Sequence, residues 1–215
     1  MNSPHLVIII SGPAGAGKTS VCEELLKSSD RFQRLVTCTS REPRRGEVDG
    51  RDYHFLSDEE FERRINAGKF LEHAQVYGRW YGSLLSGVSE ILRAGKDLVL
   101  NIDVQGAASI RGRAAHISLE SLGVEGGRGQ TLRDLIVSVF IMPPSIELLE
   151  QRLKKRGTDN PTVIEKRLKV VREEMKRWTQ YDYVIVTGKL EDDFEQLSAI
   201  VAAERLRAAR LKFEL

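Results

Sequence analysis

Residues Gly12 to Thr19 read Gly-Pro-Ala-Gly-Ala-Gly-Lys-Thr and match the phosphate-binding loop pattern G-x-x-x-x-G-K-S/T at every specified position. An apolar run, Leu6 to Ile10, comes directly before the loop, and a segment with helical spacing of apolar residues follows it: Val21, Cys22, Leu25 and Leu26. The order strand, loop, helix is the context that this motif requires. The stretch therefore predicts a site for a nucleoside triphosphate.

The residue types of the loop follow from what a polyphosphate needs. Small residues let backbone N–H groups and a helix N-terminus approach the phosphates closely. Lys18 can place a positive charge on the β and γ phosphates, and the Thr19 hydroxyl can occupy one coordination position of Mg²⁺. The predicted ATP-binding residues are Gly12, Pro13, Ala14, Gly15, Ala16, Gly17, Lys18 and Thr19.

Length and composition set limits on the class of protein. With 215 residues and 41% hydrophobic content, we expect one sizeable core with inserted lobes. The 33 basic and 31 acidic residues leave a net charge of +2, which gives no global attraction for nucleic acid. Two cysteines make no disulfide framework, and no segment has the roughly 20 apolar residues that a membrane span needs. We expect a cytoplasmic protein without nucleic-acid or membrane partners.

The rest of the chain has the rhythm of an α/β protein. Apolar runs that predict strands alternate with helical patterns, which favours a largely parallel sheet with helices on both sides; the runs are Leu6 to Ile10, Asp97 to Ile102, Leu135 to Ile141 and Asp182 to Val186. The stretch Gly123 to Gly129 is glycine-rich and predicts a flexible surface loop without a role.

A phosphate-binding loop alone does not identify the phosphoryl acceptor, but the segments that follow it are more specific. They are Thr37-Cys38-Thr39-Ser40-Arg41-Glu42-Pro43-Arg44-Arg45-Gly46-Glu47, Asp52-Tyr53-His54-Phe55, Phe70-Leu71-Glu72, Tyr81-Gly82-Ser83 and Ile102-Asp103-Val104-Gln105-Gly106. In this order they closely resemble the signatures of the guanylate kinase family, from about Leu6 to the C-terminal helix. The resemblance implies the P-loop nucleoside monophosphate kinase fold, with ATP and GMP or dGMP as substrates.

The chemistry of the acceptor residues agrees with this resemblance. Arg41 and Arg44 can hold a monophosphate through charge-assisted hydrogen bonds, and Tyr53 and Tyr81 can add hydroxyl donors. A carboxylate facing N1–H and N2–H₂ of guanine, with a hydroxyl near O6, selects guanine over adenine. The resemblance assigns GMP binding to eight residues: Thr37, Arg41, Arg44, Tyr53, Glu72, Tyr81, Ser83 and Asp103.

Catalysis in this family consists of alignment and charge neutralisation. The acceptor phosphate has its second pKa at about 6, so no general base is needed. The residues implied in catalysis are Lys18, Arg41 and three lid arginines, Arg152, Arg156 and Arg167. For Mg²⁺ the resemblance implies Thr19 and allows Asp103, for which a helix-capping or turn role is the alternative.

Three places depart from the family pattern. Asn101 stands where an acidic residue usually precedes Ile-Asp, which removes a charge near the expected metal. Thr187-Gly188-Lys189 replaces the usual Asn-Asp-Asp that reads adenine. The connection from Gly106 to Pro143 is longer than usual, and its extra segment lies around residues 107–134. The first two departures concern the metal shell and the donor base.

The predicted organisation is one guanylate kinase-like domain. Its core comprises residues 1–35, 87–146 and 172–215, a GMP-binding lobe spans 36–86, and a lid spans 147–171. Two alternatives remain open at this point. One is a non-catalytic guanylate kinase-like binding module, which Lys18 and Thr19 argue against. The other is a P-loop kinase for another small phosphorylated acceptor.

Overall fold

A computed structural model describes residues 5–76, 78–125, 128–155 and 161–211, and the side chains of 151–155 and 161–167 lie outside the description. In chain order the strands and α-helices are β1 (Val7–Ser11), α1 (Lys18–Ser28), β2 (Phe32–Arg34), β3 (Cys38–Thr39), β4 (His54–Phe55), α2 (Asp58–Asn66), β5 (Phe70–Val76), β6 (Arg79–Leu84), α3 (Leu85–Arg93), β7 (Asp97–Asn101), α4 (Val104–Ala114), β8 (Ile136–Met142), α5 (Ile146–Lys155), α6 (Pro161–Met175), β9 (Tyr183–Val186) and α7 (Leu190–Arg205).

The central sheet has five parallel strands in the order β2-β7-β1-β8-β9. In β1, Val7 pairs with Leu98 on one side and Ile136 on the other. The four strands predicted from the sequence are all present, and each observed end lies within one residue of the predicted one. Their nearly continuous apolar runs fit a sheet that is covered on both faces.

The alternation of side chains along β1 divides the core into two layers. Val7 and Ile9 point to one face, where they join the buried side chains of α3 and α4. Leu6, Ile8 and Ile10 point to the opposite face and pack with those of α1 and α7. Successive residues of a strand face opposite sides, so one apolar run supplies both layers. This arrangement confirms the predicted α/β class.

A second sheet, in the order β4-β3-β6-β5, lies within residues 38–84. Helix α2 covers it, with its N-terminus capped by the Ser57 hydroxyl, which accepts from the Glu60 N–H. The rings of Phe61 and Phe70 stack with centroids 4.4 Å apart, and Trp80 stacks on Phe61. This small aromatic core holds together the range in which the GMP-binding residues were predicted.

Helices α5 and α6 form a helix pair with its own apolar cluster. The Ser145 hydroxyl accepts from the Leu148 N–H, as expected for the cap of α5. Leu149 of α5 packs with Leu168 and Val171 of α6 in a small buried cluster. The pair overlaps the range predicted as the lid.

The extra segment differs from the sequence-based expectation. Its apolar side chains are buried in the core beside α3 and α4: Leu119 is 2% exposed, and Leu122 and Val124 are each 6% exposed. An isolated antiparallel bridge between Ser118 and Thr131 closes the segment. Within the predicted surface loop, Gly123, Glu125, Arg128 and Gly129 are exposed as expected, but Val124 is buried, so the prediction was wrong for this apolar side chain. Residues 126 and 127 lie outside the described residues.

Candidate active site

The phosphate-binding loop lies at the carboxyl edge of the central sheet, where open α/β sheets bind their ligands. Gly12 and Gly17 have φ of 141° and 98°, and Gly17 is the residue that precedes α1. A Cβ atom on Gly12 would lie 2.3 Å from the carbonyl oxygen of Ile141. Glycine is thus required at Gly12 both by its backbone angle and by the close approach of β8.

Lys18 folds back over this loop. Its ammonium group donates to the carbonyl oxygens of Gly12 and Pro13 at 2.8 and 2.9 Å. Burial lowers the pKa of Lys18, while Glu174 and Asp103 act in the opposite direction. The ammonium group is therefore held at the mouth of the loop, where Lys18 was predicted to meet phosphate.

Thr19, in the first turn of α1, and Asn101, the last residue of β7, are 82 positions apart in the chain and are in contact. The Asn101 side-chain amide donates to the Thr19 hydroxyl oxygen at 3.2 Å. Beyond β7, Asp103 accepts from the N–H groups of Gln105 and Gly106 with one carboxylate oxygen. The capping role considered for Asp103 is therefore present, and it uses the Oδ1 atom.

The residues predicted to bind the acceptor phosphate lie together on the second sheet and its loops. Arg41 forms a bidentate ion pair with Glu47, with both N–O distances at 3.0 Å. The Tyr53 ring lies 5.5 Å from the Arg41 guanidinium carbon and 6.1 Å from the Tyr81 ring. Arg44 is exposed on the same turn, and its backbone N–H donates to Glu47 at 2.7 Å.

The predicted base-reading residues come together on adjacent strands. Glu72 of β5 is 7% exposed, and the fully buried Ser83 of β6 donates its hydroxyl to Glu72 at 2.7 Å. Burial raises the pKa of Glu72, Ser83 counteracts this, and Asp103 adds to it. Thr37 is half-buried just before β3, and its carbonyl oxygen accepts from the His54 N–H at 2.9 Å.

Asp103 connects the two halves of the site. It is close enough to Lys18 to affect its pKa and close enough to Glu72 to affect that carboxyl group. A Cβ atom on Gly106 would lie 3.6 Å from both the Glu72 and the Asp103 carboxylates. Lys18 of the phosphate-binding loop and the predicted guanine-reading carboxylate Glu72 are therefore both within electrostatic range of Asp103.

The structure describes only the backbone of two of the three lid arginines. Arg152 lies on α5 and Arg167 on α6, and their side chains are outside the described residues, as is all of Arg156. The backbone of α5 is nevertheless placed beside the loop, because a Cβ atom on Gly15 would contact Leu149 at 3.7 Å. The roles of the three arginines stay predictions.

The segment expected to face the donor base also lies next to the loop. Thr187 is 5% exposed, and its N–H donates to the Met142 carbonyl at 2.8 Å. A Cβ atom on Gly17 would lie 3.9 Å from the Thr187 methyl group. The Gly188 N–H donates to Asp193 at 2.9 Å, which fixes the turn into α7.

Comparison with known proteins identifies, along nearly the whole chain, the same family that the sequence motifs resemble. The guanylate kinase family model matches residues 5–119 and 130–204. The chain belongs to the guanylate kinase family. It is 41% identical over 214 residues to a guanylate kinase of Clostridium perfringens, strain SM101, with 100% of this chain and 90% of that protein covered.

Further relatives support this membership. A guanylate kinase of Paramagnetospirillum magneticum is 39% identical over 205 residues, covering 95% of this chain and 87% of that protein. The crystal structure of guanylate kinase from Anaplasma phagocytophilum has a TM-score of 0.70 at 30% identity, covering 97% of this chain and 90% of that one. The predicted family, the fold class and the phosphotransferase activity are thereby confirmed.

The family match also shows which residues of the extra segment depart from the family model. Residues 120–129 fall between the two matched stretches and include the whole glycine-rich stretch, Gly123 to Gly129. Since Leu122 and Val124 are buried against the family core, the additional residues are integrated into the fold.

Two acidic residues near the site had no predicted role. Glu47 stands six residues after Arg41, within the segment that carries the family resemblance, so its proximity to Arg41 could have been predicted from the sequence. Glu174 of α6 receives a backbone hydrogen bond from Ala14, and burial raises its pKa while Lys18 lowers it. For Glu174 the sequence carried no signal, because its proximity to the loop depends on how α6 packs.

Two kinds of feature are absent from the part of the chain that the structure describes. Among the described residues, no group of three or more histidine, cysteine, aspartate or glutamate side chains is arranged to hold a metal ion. Within the same part of the chain, no helix is long and apolar enough to cross a bilayer.

Proposed function

We propose that this guanylate kinase family member transfers the γ-phosphoryl group of Mg-ATP to GMP or dGMP, giving ADP and GDP or dGDP. The observation that supports it most is the position of Asp103, within electrostatic range of both Lys18 and Glu72. A triphosphate in the loop and a guanine at Glu72 would then extend toward each other. Reactant alignment of this kind is the main contribution that a phosphotransferase makes.

Each residue has a distinct task in this proposal. Backbone N–H groups of the loop from Gly12 to Thr19 bind the donor phosphates, and Lys18 exchanges its carbonyl partners for phosphate oxygens. On the acceptor side the phosphate ligands are Arg41, Arg44, Tyr53 and Tyr81, and the base is read by Thr37, Glu72 and Ser83. The lid arginines Arg152, Arg156 and Arg167 neutralise charge on the transferred group. The domain boundaries proposed for core, GMP lobe and lid are those predicted from the sequence.

The donor set near Thr19 fits Mg²⁺, which prefers oxygen ligands and usually keeps waters and substrate phosphates in its shell. Thr19 would offer its hydroxyl oxygen, and Asp103 has one carboxylate oxygen outside its capping contacts. When bound, the ion supplies charge neutralisation at the phosphates. Lys18 and the arginines orient the phosphoryl group, and closure of the lid excludes water.

We also assign the protein to purine nucleotide metabolism in the cytoplasm. This rests on the proposed reaction and on Cys22 and Cys38, which are buried free thiols as expected in a reducing compartment.

An acceptor panel tests the proposal. ADP release is measured with GMP, dGMP, AMP, CMP and UMP, and GMP and dGMP are expected to be far better acceptors than the others. Equal rates across the panel would contradict the guanine assignment. Glu72→Gln should impair GMP phosphorylation, while the exposed Glu62→Gln on α2 serves as the matched control.

The two alternatives give different results in the same experiments. A binding module would show no heat with Mg-ATP and no effect of Lys18→Ala. A kinase for a sugar phosphate would be insensitive to Glu72→Gln.

A further inference from the structure

Glu47 makes an unusually complete set of contacts with the acceptor-side arginine. One carboxylate oxygen accepts from Nη2 of Arg41 at 3.0 Å, and the other accepts from Nη1 of Arg41 at 3.0 Å and from the Arg44 N–H at 2.7 Å. The two side chains are 16% and 21% exposed. A bidentate guanidinium–carboxylate pair of this kind fixes orientation as well as charge.

Counting the donors of Arg41 shows which edge remains for a ligand. Besides the pair with Glu47, Nη1 donates to the backbone carbonyl of Glu42 at 2.7 Å. These contacts use both N–H groups of Nη1 and one of Nη2. The Nε–H and the second N–H of Nη2 lie parallel along one edge of the planar group, and the further hydrogen bond of Arg41, to the Tyr81 side chain, falls on this edge. Such an edge matches two oxygens of a phosphate.

The surroundings of Arg41 point that edge into the acceptor site. Tyr81, one of the predicted phosphate ligands, forms a side-chain hydrogen bond with Arg41 that contributes to the raised pKa of the guanidinium, after the larger effect of Glu47. The Tyr53 ring lies against the guanidinium at 5.5 Å. The hydrogen bonds from Arg41 and Arg44 hold the pKa of Glu47 below its usual value, so Glu47 stays charged across the working range of pH.

We propose that Glu47 is a positioning residue for acceptor binding. It holds the Arg41 guanidinium so that its Nε and Nη2 edge faces the acceptor phosphate, and it keeps its own contacts when the acceptor binds. The anion is the phosphate of the nucleoside monophosphate, and in this respect the inference rests on the proposed function. Glu47 itself does not touch the substrate.

The test compares Glu47→Gln with Glu42→Gln. Glutamine can accept only one of the two Arg41 hydrogen bonds, so the KM for GMP should rise about tenfold, the effect of losing one charged hydrogen bond. The KM for ATP should change less than twofold. Glu42→Gln should leave both constants unchanged, because only the backbone carbonyl of Glu42 contacts Arg41.

Two binding measurements separate positioning from a loss of structure. By calorimetry, Glu47→Gln should weaken GMP but not guanosine, which lacks the phosphate. An equal loss for both ligands would overturn the inference, and so would tighter GMP binding, which would make Glu47 a competitor of the phosphate.

A readout without substrate keeps this inference independent of the proposed reaction. By ¹⁵N relaxation, the Nε–H of Arg41 should be ordered in the free wild-type protein and in Glu42→Gln, and mobile in Glu47→Gln. If Arg41 stays equally ordered in Glu47→Gln, the inference fails even if GMP is phosphorylated. If wild-type protein does not phosphorylate GMP but Arg41 loses order in the variant, the positioning of Arg41 stands and the proposed reaction fails.

Discussion

The Ser83 hydroxyl donates to the Glu72 carboxylate at 2.7 Å, where Ser83 is fully buried and Glu72 is 7% exposed. Burial raises the pKa of Glu72, and this hydrogen bond lowers it. The carboxylate must be ionised to accept from both donors of guanine. The pair therefore sets the pH below which the protein binds the guanine base more weakly.

Ser83→Ala should move the acid limb of kcat/KM for GMP to higher pH. Without the hydroxyl the pKa of Glu72 rises further, so a smaller fraction is ionised at a given pH below that pKa. A pH profile of the initial rate measures the shift. Ser86→Ala, at an exposed position of α3, is the control. An acid limb that stays in place while kcat/KM falls would show that Ser83 does not govern the ionisation of Glu72.

Asn101→Asp should lower the Mg²⁺ concentration needed for half-maximal rate by several-fold. The wild-type amide donates to the Thr19 hydroxyl oxygen, whereas a carboxylate would accept from that hydroxyl and add negative charge beside the proposed ion. The measurement is rate against Mg²⁺ at fixed ATP, with Asn66→Asp at the exposed end of α2 as control. An unchanged Mg²⁺ dependence would show that residue 101 does not affect metal binding.

Gly12→Ala and Gly112→Ala should have opposite effects on stability. At Gly12 the new methyl would lie 2.3 Å from the Ile141 carbonyl at a φ of 141°, so we expect a loss of more than about 2 kcal/mol. Gly112 lies within α4 with nothing within 4 Å of a Cβ atom, and alanine there should stabilise by about 0.5–1 kcal/mol. Urea unfolding measures both. A Gly12→Ala protein as stable as wild type would contradict the close approach of β8.

Asp97→Asn should destabilise the fold without affecting substrate binding. Asp97 is fully buried at the start of β7 and accepts from the Leu6 N–H at 2.9 Å, from Arg31 at 3.1 Å and from Arg205 of α7. Asparagine keeps one acceptor and loses the charge, for which we expect about 1–3 kcal/mol.

The control for this change is Asp30→Asn, an exposed residue, with an effect within about 0.5 kcal/mol. The KM values should be unchanged in both variants, because Asp97 lies at the amino end of its strand and the site lies at the carboxyl edge. A raised KM for GMP or ATP would show that the network supports the site after all.

Much of the fold was predictable because its signals are local. The run from Leu6 to Ile10 and the loop from Gly12 to Thr19 each specify their own conformation within a few residues. The helix cap at Ser57 was readable for the same reason. The burial of Leu122 and Val124 was not predictable in this way, because it depends on a surface supplied by α3 and α4.

The sequence by itself determined the fold class, the phosphate-binding loop and the set of acceptor residues, since each is encoded by residue types at fixed short spacings. Only the tertiary structure decided how those residues meet. Asn101 reaches Thr19 because β7 ends at the sheet edge where the loop leads into α1, and Asp103 lies within electrostatic range of both Lys18 and Glu72 at the start of α4. Glu47 finds Arg41 through the shape of a turn. Orientation of this kind depends on packing and on hydrogen-bond geometry, which a pattern of residues does not specify.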